Sequence, residues 1–159
     1  MEEYWYNIGR FKRRYCMPAL SEYSLQRLRT CDIQLQEVVK RVAEIYDIRI
    51  LEGRRTNARQ EELFFDGKSK LRAGQSKHNP KPGMNVDQDG QYLVHAVDIA
   101  PYPIDWNDTK RFVYLAGLMM ATAHQLGVNL RWGGNWDRDQ VIIDDQNFND
   151  LPHFELVEE

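Results

Sequence analysis

The sequence predicts an α+β fold, in which helices pack on a small, mostly antiparallel sheet. Two long stretches carry apolar residues at the three- and four-residue spacing typical of helices, and short β-rich runs lie before, between and after later segments. The chain has 159 residues, which is enough for one hydrophobic core but short for two. We therefore expect a single domain over residues 1–159.

The first part of the chain is predicted to be mainly helical. Residues 1–23 mix aromatic side chains with a basic cluster and are interpreted as an N-terminal arm lying on the core. Ser24 is the predicted helix cap, and the apolar periodicity after it indicates one or two helices that end near Tyr46. Residues 48–52 are predicted to form a strand and residues 58–65 a short helix.

The remaining elements follow a long connection. Residues 66–93 are rich in Gly, Lys, Asn, Pro and Asp and are predicted to form a loop, whose length in a compact domain favours a functional role. Residues 94–99 are β-rich and predict a central strand, and residues 108–126 predict an amphipathic helix. Two further strands are expected at residues 128–132 and 153–157, separated by a loop rich in Gly, Trp and Asp.

Charge and composition exclude some classes of protein. Residues 1–82 have a net charge of +6 and residues 83–159 one of −9, so a basic face could favour an anionic polymer, although a solvated surface is the simpler interpretation. No nucleic-acid recognition motif, membrane-spanning run or secretory signal is visible, so we expect synthesis in a cytoplasm. Cys16 and Cys31 are expected to be free thiols.

Four residues carry the chemistry: His78, Asp98, Asp150 and His153. Two imidazoles and a carboxylate form a ligand set that Zn²⁺ accepts while leaving a position for water, and a second carboxylate nearby can take the proton of that water. Asp98 is expected to end one strand and His153 to begin another, with His78 reaching them from the loop and Asp150 on a turn. Each residue alone is more often a surface or capping residue, but the combination predicts a zinc peptidase.

The motifs that contain these residues resemble a known family. Ser76-x-His78, Ala96-Val97-Asp98 and Asp150-x-x-His153-Phe154-Glu155 are similar to the D-alanyl-D-alanine carboxypeptidase (VanY-type) family of zinc peptidases, which includes the phage L-alanyl-D-glutamate endopeptidase endolysins. The similarity to the phage branch extends over about residues 24–157. It implies a helix-on-sheet fold of the hedgehog and D-Ala-D-Ala peptidase type, with a zinc site on a mostly antiparallel sheet.

The resemblance also implies roles for individual residues. His78, Asp98 and His153 would bind Zn²⁺, and Asp150 would act as the general base. Arg55 would stabilise the developing oxyanion, a role that suits a fixed guanidinium. Its neighbour Arg54 is adjacent in the same turn, and either residue could instead be a surface charge.

The chain departs from the family in one spacing. Nineteen residues, 79–97, separate His78 from Asp98, which is more than in many relatives, so residues 79–93 are interpreted as an insertion that forms a lid or rim. His95 is a rival metal ligand, but residues three apart in a strand point to opposite sides of it. We therefore expect His95 to lie beside the ligands or in the substrate cleft.

Three further residues are assigned from their surroundings. Ser76 is expected to bind substrate or to orient the first ligand. Trp136 is expected to line the substrate cleft, whereas Trp132 belongs to the core and His124 has a structural role within its helix.

Together with the resemblance, these features predict a zinc-dependent peptidoglycan peptidase, similar to an endolysin, that cleaves a stem-peptide amide bond, which we expect to be L-Ala–D-Glu. Its expected partner is bacterial peptidoglycan, without nucleic acid or stable membrane insertion, and we expect a monomer. The protein would be made in the host bacterial cytoplasm and reach the wall after holin-type release. The alternatives are a D-Ala-D-Ala carboxypeptidase or a non-catalytic, zinc-containing binding protein.

Overall fold

The computed structural model describes residues 19–139, 141–144 and 146–157. In that part of the chain it contains four helices and four strands, which are, in chain order, α1 Glu22–Leu28, α2 Ile33–Ala43, β1 Ile48–Glu52, α3 Asn57–Phe65, β2 Ala96–Pro101, α4 Thr109–Gln125, β3 Leu130–Gly133 and β4 Asp150–Leu156. The strands pair antiparallel in the order β1-β2-β4-β3. The predicted α+β class is confirmed.

The hydrophobic core lies on one face of the sheet, between the strands and helices α2 and α4. Val97 and Ile99 of β2 and Phe154 of β4 are fully buried there, because alternate side chains of a strand point to the same face. Full burial of an aliphatic side chain stabilises the fold by roughly 1.5–3 kcal/mol. The opposite face is therefore left to the residues between them, which include Asp98 and His153.

Several boundaries differ from the sequence-based expectation. Ser21, not Ser24, caps α1, and its hydroxyl accepts a hydrogen bond from the Ser24 backbone. Asp150 lies in β4 rather than on a turn, because β4 begins three residues earlier than its apolar pattern indicates. His124 lies on α4, as expected, and is exposed there. Most of the predicted N-terminal arm, residues 1–18, lies outside the described residues, and Cys16 lies there with it.

The long loop before β2 is anchored to the first helices rather than left open. Asn85 donates a hydrogen bond from Nδ2 to the side chain of Asp32, the cap of α2, and Arg54 forms an ion pair with Asp87. Cys31 is a buried, free thiol whose pKa is raised to about 12, chiefly by burial. Within the described residues, no helix is long and apolar enough to cross a membrane.

Candidate metal centre

The centre is built on the two middle strands of the sheet. Asp98 of β2 and His153 of β4 are direct cross-strand partners, and Glu52 of β1 is the partner of Asp98 on its other side. A register shift between Ile50 and Glu52 turns Glu52 away from the core face on which Ile50 lies. The expectation that Asp98 ends a strand and His153 begins one is therefore wrong, because both residues lie within strands whose hydrogen bonds hold them side by side.

The ligand atoms of the three predicted residues converge on one point. Asp98 Oδ1 lies 3.1 Å from His78 Nε2 and 3.0 Å from His153 Nδ1, and the two imidazole nitrogens are 3.2 Å apart. In a tetrahedral zinc site with bonds of about 2.05 Å, ligand atoms lie roughly 3.3 Å apart. The observed spacings fit a metal ion of that size, and His78, Asp98 and His153 form a candidate metal-binding group in the described residues.

Each histidine is oriented by a hydrogen bond on its other nitrogen. His78 is almost fully buried, and its Nδ1 lies 2.7 Å from the carbonyl oxygen of Gly53, which can only accept. His78 Nδ1 therefore carries the proton and Nε2 faces the cluster. His153 has the opposite arrangement, because its Nε2 lies 2.9 Å from Glu155 Oε2 and its Nδ1 faces Asp98.

The turn that places the Gly53 carbonyl needs a residue without a side chain. A Cβ on Gly53 would overlap with Thr30 Oγ1 and lie 2.5 Å from the backbone oxygen of Arg27. Ser76 supports the same ligand from the other side, since its buried Oγ accepts a hydrogen bond of 3.1 Å from the His78 backbone N–H. Ser76 thus holds the local chain conformation at the first ligand.

The electrostatics of the cluster favour a cation between these groups. Burial alone would raise the pKa of Asp98, but the charges and hydrogen bonds of His78 and His153 hold that pKa far below its ordinary range. For His153, burial acts to lower the pKa, yet hydrogen bonds to Asp98 and Glu155 raise it to about 9. Asp98 is therefore an anion, and the cluster attracts positive charge, either a proton on His153 or a metal ion.

Asp150 reaches the same cavity through an irregularity of the β3–β4 pairing. Trp132 pairs with Phe154 and the next residue, Gly133, pairs with Asp150, so one step along β3 corresponds to four steps along β4. This bulge brings Asp150 and His153 to one cavity although they are three residues apart. Burial, followed by the nearby charge of Asp98, raises the pKa of Asp150.

Arg55 and Arg54 have different surroundings. Arg55 lines the cavity, donates from Nε to Glu52 at 2.9 Å and from Nη1 to Gln60 at 3.0 Å, and its Nη2 lies 3.7 Å from Asp98 Oδ2. Arg54 instead donates to the Tyr92 carbonyl and pairs with Asp87. Only Arg55 of the two therefore has a guanidinium held beside the candidate metal centre.

The cluster forms the floor of a cavity of about 660 Å³. One wall comes from residues 67–71 and 75–77, which include Ser76, and the other includes Trp136 and Phe148. The Lys70 ammonium lies 5.5 Å from the centre of the Phe148 ring, so the two walls come close together at these residues. The cavity lining contains no residue of 79–93, so the rim is an earlier part of the long loop than the sequence indicated.

The structure also separates other predicted residues. The Trp136 ring lies 5.5 Å from the imidazole of His153, in the cleft, whereas Trp132 is buried in the core. His95 immediately precedes β2 and does not line the cavity. This agrees with its position three residues before Asp98, because residues three apart in an extended chain point to opposite sides. Sequence reasoning missed Glu155, although the alternation His153-x-Glu155 in a strand indicates two side chains on one face.

Comparison with known proteins identifies the family of this chain. The sequence profile of the phage L-alanyl-D-glutamate peptidase family matches residues 17–157. The fold is similar to that of the L-Ala D-Glu endopeptidase ChiX of Serratia marcescens, with a TM-score of 0.65 and 24% sequence identity over 86% of this chain and 87% of that chain. No curated protein matches the chain. Since the profile covers most of its length, the chain belongs to the phage L-alanyl-D-glutamate peptidase family.

Proposed function

We propose that this peptidoglycan hydrolase is a zinc-dependent endopeptidase that cleaves the amide bond between L-Ala and D-Glu in the stem peptide of the bacterial wall. The observation that carries the proposal is the convergence of His78, Asp98 and His153, at the spacing of a tetrahedral metal site, on the floor of an open cavity. The family and the similar Serratia enzyme are both L-Ala–D-Glu peptidases, which favours this bond over the terminal D-Ala-D-Ala bond.

The three ligands would leave one coordination position facing the cavity. Zinc bound there would supply Lewis-acid polarisation of the scissile carbonyl and would lower the pKa of a water toward neutrality. The hydrogen bonds to Gly53 and Glu155 would keep the ligating nitrogens pointed inward, so that little reorganisation accompanies binding.

Asp150 is proposed to be the general base. Its carboxylate lines the cavity and is partly buried, and the raised pKa makes it a better proton acceptor than an exposed aspartate. Asp150 would take a proton from the attacking water and deliver it to the leaving amine nitrogen of D-Glu. This transfer prevents expulsion of an amide anion.

Arg55 is proposed to hold the oxygen of the tetrahedral intermediate. Its guanidinium is only 12% exposed and is fixed by Glu52 and Gln60, so it loses little freedom when substrate binds. Ser76 and Trp136 are proposed to contact the substrate from the two walls of the cavity. His95 would act only at the edge of this site.

The wider setting is also a proposal. The chain would act as one domain and as a monomer on peptidoglycan, without nucleic acid or insertion into a membrane. Made in the cytoplasm of the host bacterium, it would reach the wall once a holin-type protein has opened the membrane. The insertion at residues 79–93 would then stabilise the turn that carries Arg54 and Arg55, rather than cover the substrate.

Mass spectrometry of soluble products from purified peptidoglycan tests the proposal. Protein loaded with Zn²⁺ should release fragments with a new D-Glu amino terminus, and removal of the metal with a chelator should stop their release until Zn²⁺ is returned. Release of free D-Ala would instead identify a carboxypeptidase. If zinc-loaded protein gives no product, the peptidase assignment is wrong and a zinc-containing binding protein is favoured.

A further inference from the structure

Glu155 lies beside His153, the third predicted ligand, and its carboxylate is hydrogen-bonded to two side chains at once. One carboxylate oxygen, Oε2, is 2.9 Å from His153 Nε2, and the other, Oε1, accepts a hydrogen bond of 3.1 Å from Arg131 Nε. The residue is only 6% exposed. A carboxylate that is so buried is costly unless both oxygens are paired, and here both are.

The pairing follows from strand geometry. His153 and Glu155 are two residues apart in β4 and share a face, and Arg131 of β3 is the direct cross-strand partner of Glu155. The line Arg131–Glu155–His153 therefore runs across the sheet to the metal centre. Trp136 lies beside this line, since its ring is 5.4 Å from the Arg131 guanidinium and 5.5 Å from the His153 ring.

The two histidines differ in what holds them. His78 donates to a neutral carbonyl of Gly53, whereas His153 donates to the anionic Glu155. A carboxylate acceptor fixes the imidazole ring more strongly and makes its free nitrogen a better metal donor. Arg131 neutralises part of that charge and occupies the second oxygen, so Glu155 is held at the rear of His153 instead of competing with Asp98 as a ligand.

On the basis of the metal centre proposed above, we propose that Glu155, held by Arg131, is a positioning residue that keeps Nδ1 of His153 directed at the metal. Glu155 sets the affinity of the site for Zn²⁺ through His153. The rival explanation is a plain cross-strand ion pair that stabilises the β3–β4 hairpin and has no influence on the metal.

Zinc affinity separates these explanations. It would be measured by competition with a chromophoric chelator for the wild type, Glu155→Ala, Glu155→Gln and the control Glu37→Ala. Glu37 forms an exposed ion pair with Arg41 on α2, so its loss removes a Glu–Arg pair that has no contact with the metal centre. A second readout is the Nε2 proton of His153 in NMR spectra of the zinc-loaded protein.

We expect Glu155→Ala to weaken zinc binding by about 10–100-fold, as loss of such a partner commonly does. Glu155→Gln should lie between Ala and the wild type, because its amide oxygen still accepts from Nε2 but carries no charge. Glu37→Ala should bind zinc like the wild type. The Nε2 proton should exchange slowly with solvent in the wild type and in Glu155→Gln, and rapidly in Glu155→Ala.

The inference requires zinc affinity to fall in the order wild type, Glu155→Gln, Glu155→Ala. Any other order overturns it, and so does an unchanged affinity of a folded Glu155→Ala protein. If Glu155→Ala does not fold, Glu155→Gln decides, since it keeps the side-chain volume and an oxygen that can accept from Nε2, and an affinity equal to wild type then overturns the inference. A wild-type protein that binds no zinc overturns the metal centre itself, which is a distinct result from zinc binding that ignores Glu155.

Discussion

Asp98 and His153 face each other across β2 and β4, with 3.0 Å between Oδ1 of the aspartate and Nδ1 of the histidine. The backbone hydrogen bonds of the sheet, rather than a flexible loop, hold these two predicted ligands together. His78 is the third, and its loop is fixed to the Arg55 backbone by a hydrogen bond of 2.8 Å from Arg55 N–H to the His78 carbonyl. The candidate metal centre is thus held in place largely by the fold itself.

Replacing Asp150 by Asn should abolish catalysis without removing the metal. Asn has a similar shape but cannot accept the proton of the attacking water, so the rate of peptidoglycan cleavage should fall by roughly 10²–10⁴-fold. Zinc affinity should change little, since Asp150 is not in the candidate ligand group. Asp89→Asn, an exposed change on the loop outside the cavity, is the control. An active Asp150→Asn enzyme would require another base.

Gly133→Ala should reduce catalysis indirectly, by displacing Asp150. A Cβ on Gly133 would overlap with the backbone oxygen of Asp150 and lie 2.9 Å from its Cβ, so the bulge that places Asp150 must shift. We expect a lower kcat and a lower melting temperature. Gly117→Ala is matched to it, because nothing lies within 4 Å of a Cβ there and Ala in α4 should stabilise the helix by up to about 1 kcal/mol. Equal kcat values for the two variants would contradict the placement of Asp150.

Lysine at position 55 should be much more damaging to catalysis than lysine at position 54. Arg55→Lys keeps the charge but loses the fixed, forked guanidinium, so kcat should fall by about 10²–10³-fold while zinc affinity is retained. Arg54→Lys changes an ion pair with Asp87 that lies outside the cavity, and it should mainly reduce stability. Comparable losses of kcat in both variants would argue that the turn, and not the Arg55 guanidinium, is what matters.

The metal-free protein should lose stability as the pH rises above neutrality. The pKa of His153 is raised from 6.5 to about 9, because the hydrogen bonds to Asp98 and Glu155 outweigh burial. Its protonated form therefore stabilises the fold fully below about pH 6.5, and this contribution, on the order of 3 kcal/mol, is lost as the pH rises through 9. Denaturant unfolding in the presence of a chelator measures the effect.

Two comparisons make that measurement specific. His153→Gln should not show the decline between pH 6.5 and 9, whereas His124→Gln, at an exposed position of α4, should keep it. Saturating Zn²⁺ should remove the decline in the wild type, because the metal replaces the proton on Nδ1. A decline that persists in His153→Gln would assign it to another group.

The residue types of the centre could be predicted from the sequence, but their arrangement could not. Two imidazoles and a carboxylate in a recognised order indicate a metal site regardless of fold. The sequence pattern placed Asp98 and His153 at strand ends, whereas pairing between β2 and β4 places them mid-strand. Register is a long-range property that depends on both strands, so a local pattern does not contain it.

The bulge at Gly133 and the walls of the cavity could not be predicted from the sequence either, because both depend on contacts between distant parts of the chain. At this bulge one step along β3 corresponds to four steps along β4. The alternation of residues in the β4 sequence does not indicate such an irregularity. The rim at residues 67–71 lies in a loop without periodicity, where nothing local distinguishes it from residues 79–93. Glu155 was within reach, because an alternating His-x-Glu in a strand already places both side chains on one face.

The cavity divides into a floor of paired strands and walls of irregular chain. Side chains on the floor, such as Asp98 and His153, are held by the hydrogen bonds of neighbouring strands, so few substitutions there are tolerated. Residues 67–71 and Phe148 contribute contacts without supporting a ligand. Substitutions in the two sides of the cavity are therefore expected to alter substrate contacts while the candidate ligands on the floor stay in place. An engineered change of substrate preference should therefore begin in the walls rather than on the floor.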